Sequence, residues 1–166
     1  MHCRQQMNVT NPGRLALVGL ILLLLLSLPT LAAAKKAASP GRMLAVQAKE
    51  ANFRSGPSIR NKVLFTMGRY YPVRVLKCKG DWCRVEDFEK YRAWVHRKLL
   101  GDLDAVVIKA KIANLRQRPT TKSPIVLKAQ RYVPFRVIGR KGNWLEVRHD
   151  DGETGWLHKS LAWGRY

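Results

Sequence analysis

Acidic residues are scarce in this chain: 166 residues hold 11 Asp and Glu against 31 Lys and Arg, a formal net charge of +20. Cysteine is scarcer still, at three. Cys78 and Cys83 form a single C-x4-C pair with no second pair to complete a zinc set, so no metal site is expected. Missing too is any nucleophile that stands with a base and an acid at corresponding repeat positions. A Cys83–His96 dyad would satisfy the nucleophile–base requirement in one repeat, but the other repeat has Leu145 in place of the cysteine. Enzymatic activity and a cofactor are therefore not expected. The charge favours anionic polymers or membrane surfaces as partners, with plain solubility as the alternative. Nucleic acid is the usual first reading of so basic a chain. Here the pattern offers no nucleic-acid-binding helix, and the N-terminus reads as an export signal.

What the chain does have is a gapless internal repeat at an offset of sixty-two residues. Asn52-Phe53-Arg54 pairs with Asn114-Leu115-Arg116, and Arg69-Tyr70 with Arg131-Tyr132. Lys79-Gly80 and Trp82 pair with Lys141-Gly142 and Trp144, and Trp94-Val95-His96 with Trp156-Leu157-His158. Such a period is too long for one solenoid turn and suits a small domain that folds alone. The expected division is a domain over 43–103 and a second over 104–166.

Ahead of the repeats, Arg4 and Arg14 precede an apolar run from Leu15 to Leu28, which Pro29 breaks. With Ala32-Ala33-Ala34 behind it, this reads as a signal peptide over 1–34, cut before Lys35. An uncleaved membrane anchor is the alternative, since Leu15 to Ala34 is just long enough to span a bilayer. No lipoprotein cysteine follows the run. Residues 35–42 read as a flexible lead-in. The expected location is the periplasm or cell envelope, or, with the leader retained, the membrane surface. Without the two leader arginines the chain still carries +18.

An oxidising exported compartment permits Cys78 and Cys83 to pair across a hairpin centred on Gly80, with buried free thiols as the alternative. The disulfide is favoured. Period-two alternation assigns the strand faces. Val73 and Val75, or Phe135 and Val137, point inward; Cys83 and Val85, or Leu145 and Val147, share a face, leaving Trp82 and Trp144 on the other. Five short strands with long loops at Ser55 to Asn61 and Gln117 to Pro124 suggest a small barrel in each repeat, because closure hides strand edges.

Asn52-Phe53-Arg54-Ser55-Gly56-Pro57, Gly80-Asp81-Trp82-Cys83-Arg84-Val85 and Trp94-Val95-His96-Arg97-Lys98-Leu99-Leu100 resemble the bacterial SH3 domain. The second repeat resembles it through Asn114-Leu115-Arg116, Gly142-Asn143-Trp144 and Gly155-Trp156-Leu157-His158, with Gln117 and Arg118 replacing the Ser-Gly pair. The resemblance implies an all-β chain of two tandem, small, five-stranded SH3-like barrels. It also implies an envelope setting, since several relatives are thought to hold cell-wall peptides or to target hydrolases to peptidoglycan.

The expected function is that of an exported, non-enzymatic tandem binding module for peptidoglycan or its stem peptide. The alternative is an envelope scaffold that docks a protein partner through the barrel loops. Arg54 and Arg116 either form turns or bind a peptide carboxylate through their guanidinium forks. Trp82 and Trp144 either pack or offer a stacking surface to sugar or peptide. Tyr70 and Tyr132 either cover the barrel ends or line a groove.

Overall fold

The structure, a computed structural model, describes residues 40–166; the expected leader and residues 35–39 of the lead-in lie outside the described residues. The first repeat forms β1 (Met43–Val46), β2 (Glu50–Arg54), β3 (Val63–Gly68), β4 (Pro72–Lys79), β5 (Trp82–Glu86), β6 (Arg92–His96), a 3-10 turn (Arg97–Leu99) and β7 (Leu100–Gly101). The second repeats this order as β8 (Ala105–Ile108), β9 (Ile112–Arg116), β10 (Ile125–Gln130), β11 (Pro134–Lys141), β12 (Trp144–Arg148), β13 (Thr154–His158), a 3-10 turn (Lys159–Leu161) and β14 (Ala162–Arg165). The sheet orders are β3-β2-β6-β5-β4-β1-β7 and β10-β9-β13-β12-β11-β8-β14, the same topology twice.

Each module thus has the five expected strands and two more. Asn52-Phe53-Arg54 looks like the start of a loop, yet Ala51 and Phe53 are buried on alternate positions and make β2 a half-buried strand. The short β7 and β14 pair back on β1 and β8 after the 3-10 turn. The face assignments hold: Val73, Val75, Cys83, Val85, Phe135, Val137, Leu145 and Val147 are all buried. One core gathers Phe53, Tyr71, Val73, Val75 and Val95; the other gathers Ile108, Leu115, Phe135, Leu145 and Leu157.

Tight turns follow the glycines where a left-handed residue is needed. Gly80 and Gly142 sit at φ +55° and +54° at the tips of β4–β5 and β11–β12. In the turn after β12 the residue is Gly152, whereas the first module places Lys90 there at φ 70°. Asp87 supports that strained turn, its carboxylate accepting the Glu89 and Tyr91 amides at 2.9 and 3.0 Å.

The two modules share packing. Val107 of β8 belongs to the first core, and Trp163 of β14 packs against it. Phe88 meets Tyr132 and Trp163 at ring separations of 5.6 and 6.3 Å. Acidic side chains complete the junction: Glu89 bonds Arg131 and the Tyr132 hydroxyl, Asp102 bonds Arg42 and Arg165, and Asp104 bonds Arg140 and Arg165. No helix among the described residues is long and apolar enough to cross a membrane.

Candidate functional site

Burying Cys83 and Val85 sends Trp82 and Arg84 to the outer face of β5. The register of β5 with β6 sets Trp82 directly opposite His96, and the rings meet edge to face at 5.2 Å. On β2 the burial of Ala51 and Phe53 likewise turns Asn52 and Arg54 outward, with Arg54 opposite Trp94 of β6. Trp82, His96, Trp94, Asn52 and Arg54 therefore share one sheet face.

The loop from Ser55 to Lys62 walls this face. Arg54 holds it there: its Nη1 donates to the Ile59 and Asn61 carbonyls at 2.9 and 2.8 Å. Ile59 then stands 75% exposed at the rim. Opposite it, His96 caps the 3-10 turn, its Nδ1 accepting the Lys98 amide at 3.3 Å, and so brings Lys98 and Leu99 to the edge. The result is a cleft of about 440 Å³ lined by Asn52, Arg54, Ile59, Trp82, His96 and Lys98, among others. A disulfide between Cys78 and Cys83, direct cross-strand partners, closes the hairpin tip that carries Trp82. The pairing expected from the spacing is present.

The second module repeats the frame with other rim residues. Trp144 meets His158 at 5.3 Å, and Arg116 donates to the Ser123 carbonyl at 2.6 Å. Thr121 stands where the first has Ile59, and Ser160 where it has Lys98. The hairpin tip has Arg140 and Leu145 in place of the cysteines. The loops differ in a compensated way. At Gly56 an added Cβ would lie 2.7 Å from the Asn61 side chain; the second module has Arg118 there, and the shorter Ser123 in place of Asn61. The Ser123 hydroxyl instead accepts the Arg118 amide at 2.9 Å.

The model of the bacterial SH3 domain matches residues 47–102 and again 109–164. The chain belongs to the bacterial SH3 domain family. Each bacterial SH3 domain of the chain corresponds to one of the two sheets. Similar folds among solved structures include NlpC1 from Trichomonas vaginalis, at 11% identity and a TM-score of 0.33 over 76% of this chain and 48% of that one. NlpC2 from the same organism gives 10% and 0.34, over 77% and 50%. An NlpC/P60 family protein from Bacillus cereus gives 16% and 0.34, over 74% and 56%. The chain spans about half the length of each of these structures. No curated protein matches it.

Within the two SH3 domains the six side chains singled out from the sequence fall into two groups. Arg54 with Trp82, and Arg116 with Trp144, lie on the outer faces just described. Tyr70 and Tyr132 lie elsewhere, at left-handed turn positions with φ 70° and 72°. Arg69 covers the Tyr70 ring at 5.5 Å. Tyr132 is part of the junction, where its hydroxyl donates to Glu89 at 2.8 Å. That bond, with Arg131 behind it, holds the Glu89 carboxyl below its ordinary range. The sequence brings out His96 only through the repeat and the rejected dyad with Cys83, and gives no prominence to Ile59 or Lys98. The recurrent Trp-x-His spacing was the available signal, because only strand register shows that each histidine faces the tryptophan of the previous strand.

A further cluster lies on the turn after β12, where donor atoms of His149, Asp151 and Glu153 fall within 4.8 Å of one another. Asp151 accepts the Glu153 amide at 3.1 Å and lies 2.8 Å from His149 Nδ1. These neighbours hold its pKa low, the backbone bond first. The cluster braces its own turn.

Proposed function

We propose that the chain is an exported, non-enzymatic tandem module that holds a cell-envelope polymer, peptidoglycan or its stem peptide. Bacterial SH3 domains are commonly cell-wall binding modules, and this chain has two. The observation that carries the reading is the cleft on the first domain, where an indole, an imidazole and the exposed Ile59 line the same space as two polar groups, Asn52 and Arg54. Apolar walls with a few convergent polar groups suit a small peptide or sugar. Trp82 supplies the stacking surface. Lys98 at the rim and the general positive charge draw in stem carboxylates. Arg54 acts chiefly by holding the loop, since its guanidinium bonds two loop carbonyls. On the second domain, Trp144 and Arg116 offer a related, more polar face, so the two copies bind unequally.

The test is co-sedimentation of the exported protein with purified sacculi. At low salt the protein pellets, and added salt releases it. Trp82→Ala reduces pelleting several-fold while the thermal transition stays within a few degrees. An unchanged pelleting curve for Trp82→Ala, or none at low salt for the wild type, ends this reading.

A further inference from the structure

β3 is an outer strand of its sheet: among the described residues it pairs with β2 alone. Edge strands are normally blunted by a charge, a proline, a bulge or a cover; β3 shifts register against β2 between Val63 and Phe65, and from Phe65 to Gly68 its pairing is regular. The sequence Val63-Leu64-Phe65-Thr66-Met67-Gly68 contains neither charge nor proline. Phe65 and Met67 pack on the core, while Val63 and Leu64 are 38% and 47% exposed. At Gly68 an added Cβ would meet nothing closer than the Lys49 carbonyl at 4.0 Å. The corresponding β10 carries Lys128 in mid-strand, so the two copies differ at this edge.

Charge identifies the occupant. Residues 51–80 contain seven Lys or Arg and no Asp or Glu. Lys62 and Arg69 flank β3 and both are exposed; Arg69 lies over the Tyr70 ring at 5.5 Å and reaches the exposed Asp150 at 3.4 Å, leaving part of its guanidinium to solvent. A second copy of the chain is a poor partner. Antiparallel pairing of two β3 strands sets Lys62 against Arg69 at both ends, and parallel pairing sets like against like. Each places cations face to face, which is unfavourable for cross-strand neighbours.

From these observations the geometry points to β3 as a docking edge for an extended peptide segment of a partner protein. That segment carries acidic residues about seven positions apart, matching the roughly 23 Å between the flanking cations at 3.3 Å per residue. Main-chain hydrogen bonds along the free edge supply affinity, and the end charges set register and reject basic partners. This site lies on the strand edge and does not depend on the cleft reading.

The probe is a fluorescein-labelled peptide, Glu-Thr-Val-Thr-Val-Thr-Val-Glu, titrated with the full chain and followed by polarisation at low salt. Saturable binding is expected. Alternate N-methylation of the peptide, which removes main-chain donors and leaves the charges, weakens it at least tenfold. Lys62→Glu weakens it on the order of fivefold, as for an exposed ion pair, with the melting curve unchanged. Equal binding of the N-methylated peptide overturns the proposal, because charge alone then suffices. No binding of the peptide, whether or not anionic vesicles or sacculi are bound, overturns it as well. So does concentration-dependent dimerisation in sedimentation, which assigns the edge to a second copy.

Discussion

Gly56 and Asn61 form a pair that the second module has rewritten as Arg118 and Ser123, and this gives a sharp test of the loop that walls the cleft. A Cβ added at Gly56 lies 2.7 Å from Asn61 Cγ and Oδ1 and 2.8 Å from its Nδ2. The Asn61 backbone is held, its carbonyl by Arg54 and its backbone N–H by the Ser58 carbonyl at 3.1 Å, so the side chain alone must turn aside and give up its place in the loop. Gly56→Ala is therefore expected to cost about 1–2 kcal/mol, in the usual range for overpacking. Asn61→Ser alone removes volume and costs about 0.5–1 kcal/mol. The double variant removes the clash, and alanine at an ordinary φ gains about 0.4–1 kcal/mol by restricting the unfolded chain. It should thus equal or exceed the wild type in stability, giving a coupling of about 1.5–3 kcal/mol. Urea unfolding of the four proteins, read by circular dichroism with a common m-value, measures it. Additive losses in the double variant would refute the argument. They would mean that the glycine is retained for something other than the space Asn61 occupies.

Gly164 is in the left-handed half of the map at φ +150°, and an added Cβ would lie 2.8 Å from Val106 Cα and closer still to the Ala105 carbonyl. Gly164→Ala is expected to cost about 2–3 kcal/mol, seen as a lower denaturation midpoint. Replacing both Cys78 and Cys83 by alanine should cost about 2 kcal/mol in loop entropy, and the corresponding loss on reducing the wild type checks that the bond is responsible. Acidification should loosen the junction. Glu89 is held low by the Tyr132 hydroxyl and Arg131, and Asp102 by Arg165 and Arg42. A carboxyl lowered by folding contributes stability that is complete above its unfolded value near pH 4 and is lost as pH falls through the folded value. The melting temperature should therefore fall below about pH 4, and Glu89→Gln should flatten that part of the profile. Asp87 has the opposite sign, because burial raises its pKa; its contribution is complete below the unfolded value and is lost as pH rises through the folded one. Asp87→Asn therefore steepens the acid loss instead of removing it.

The scaffold was legible because the copies could be compared. Val73/Phe135 and Val85/Val147 keep a period of two at an offset of sixty-two, and the structure buries them all. β2 was not legible, since Asn52 and Arg54 flanking Phe53 look like turn residues until Ala51 is seen to be buried too. Half of the cleft was legible as well, in Trp82 and Arg54, because indoles and guanidinium groups attract notice wherever they stand. Ile59, His96 and Lys98 join them through strand register and loop closure, which are not local properties. The junction was hidden for the same reason. Glu89, Tyr132 and Trp163 are each unremarkable in their own segments and meet only when both sheets have formed.

Trp163 leaning on the first core, with Val107 inside it, changes what it means to divide this protein. A cut in Asp102-Leu103-Asp104 frees a first half whose Phe88 side loses its cover, and a second half with an indole turned to water. Neither fragment is a fair stand-in for the domain it came from, and a shuffled copy in either place inherits a mismatched neighbour. For protease, engineer or natural recombination alike, the pair is one indivisible part.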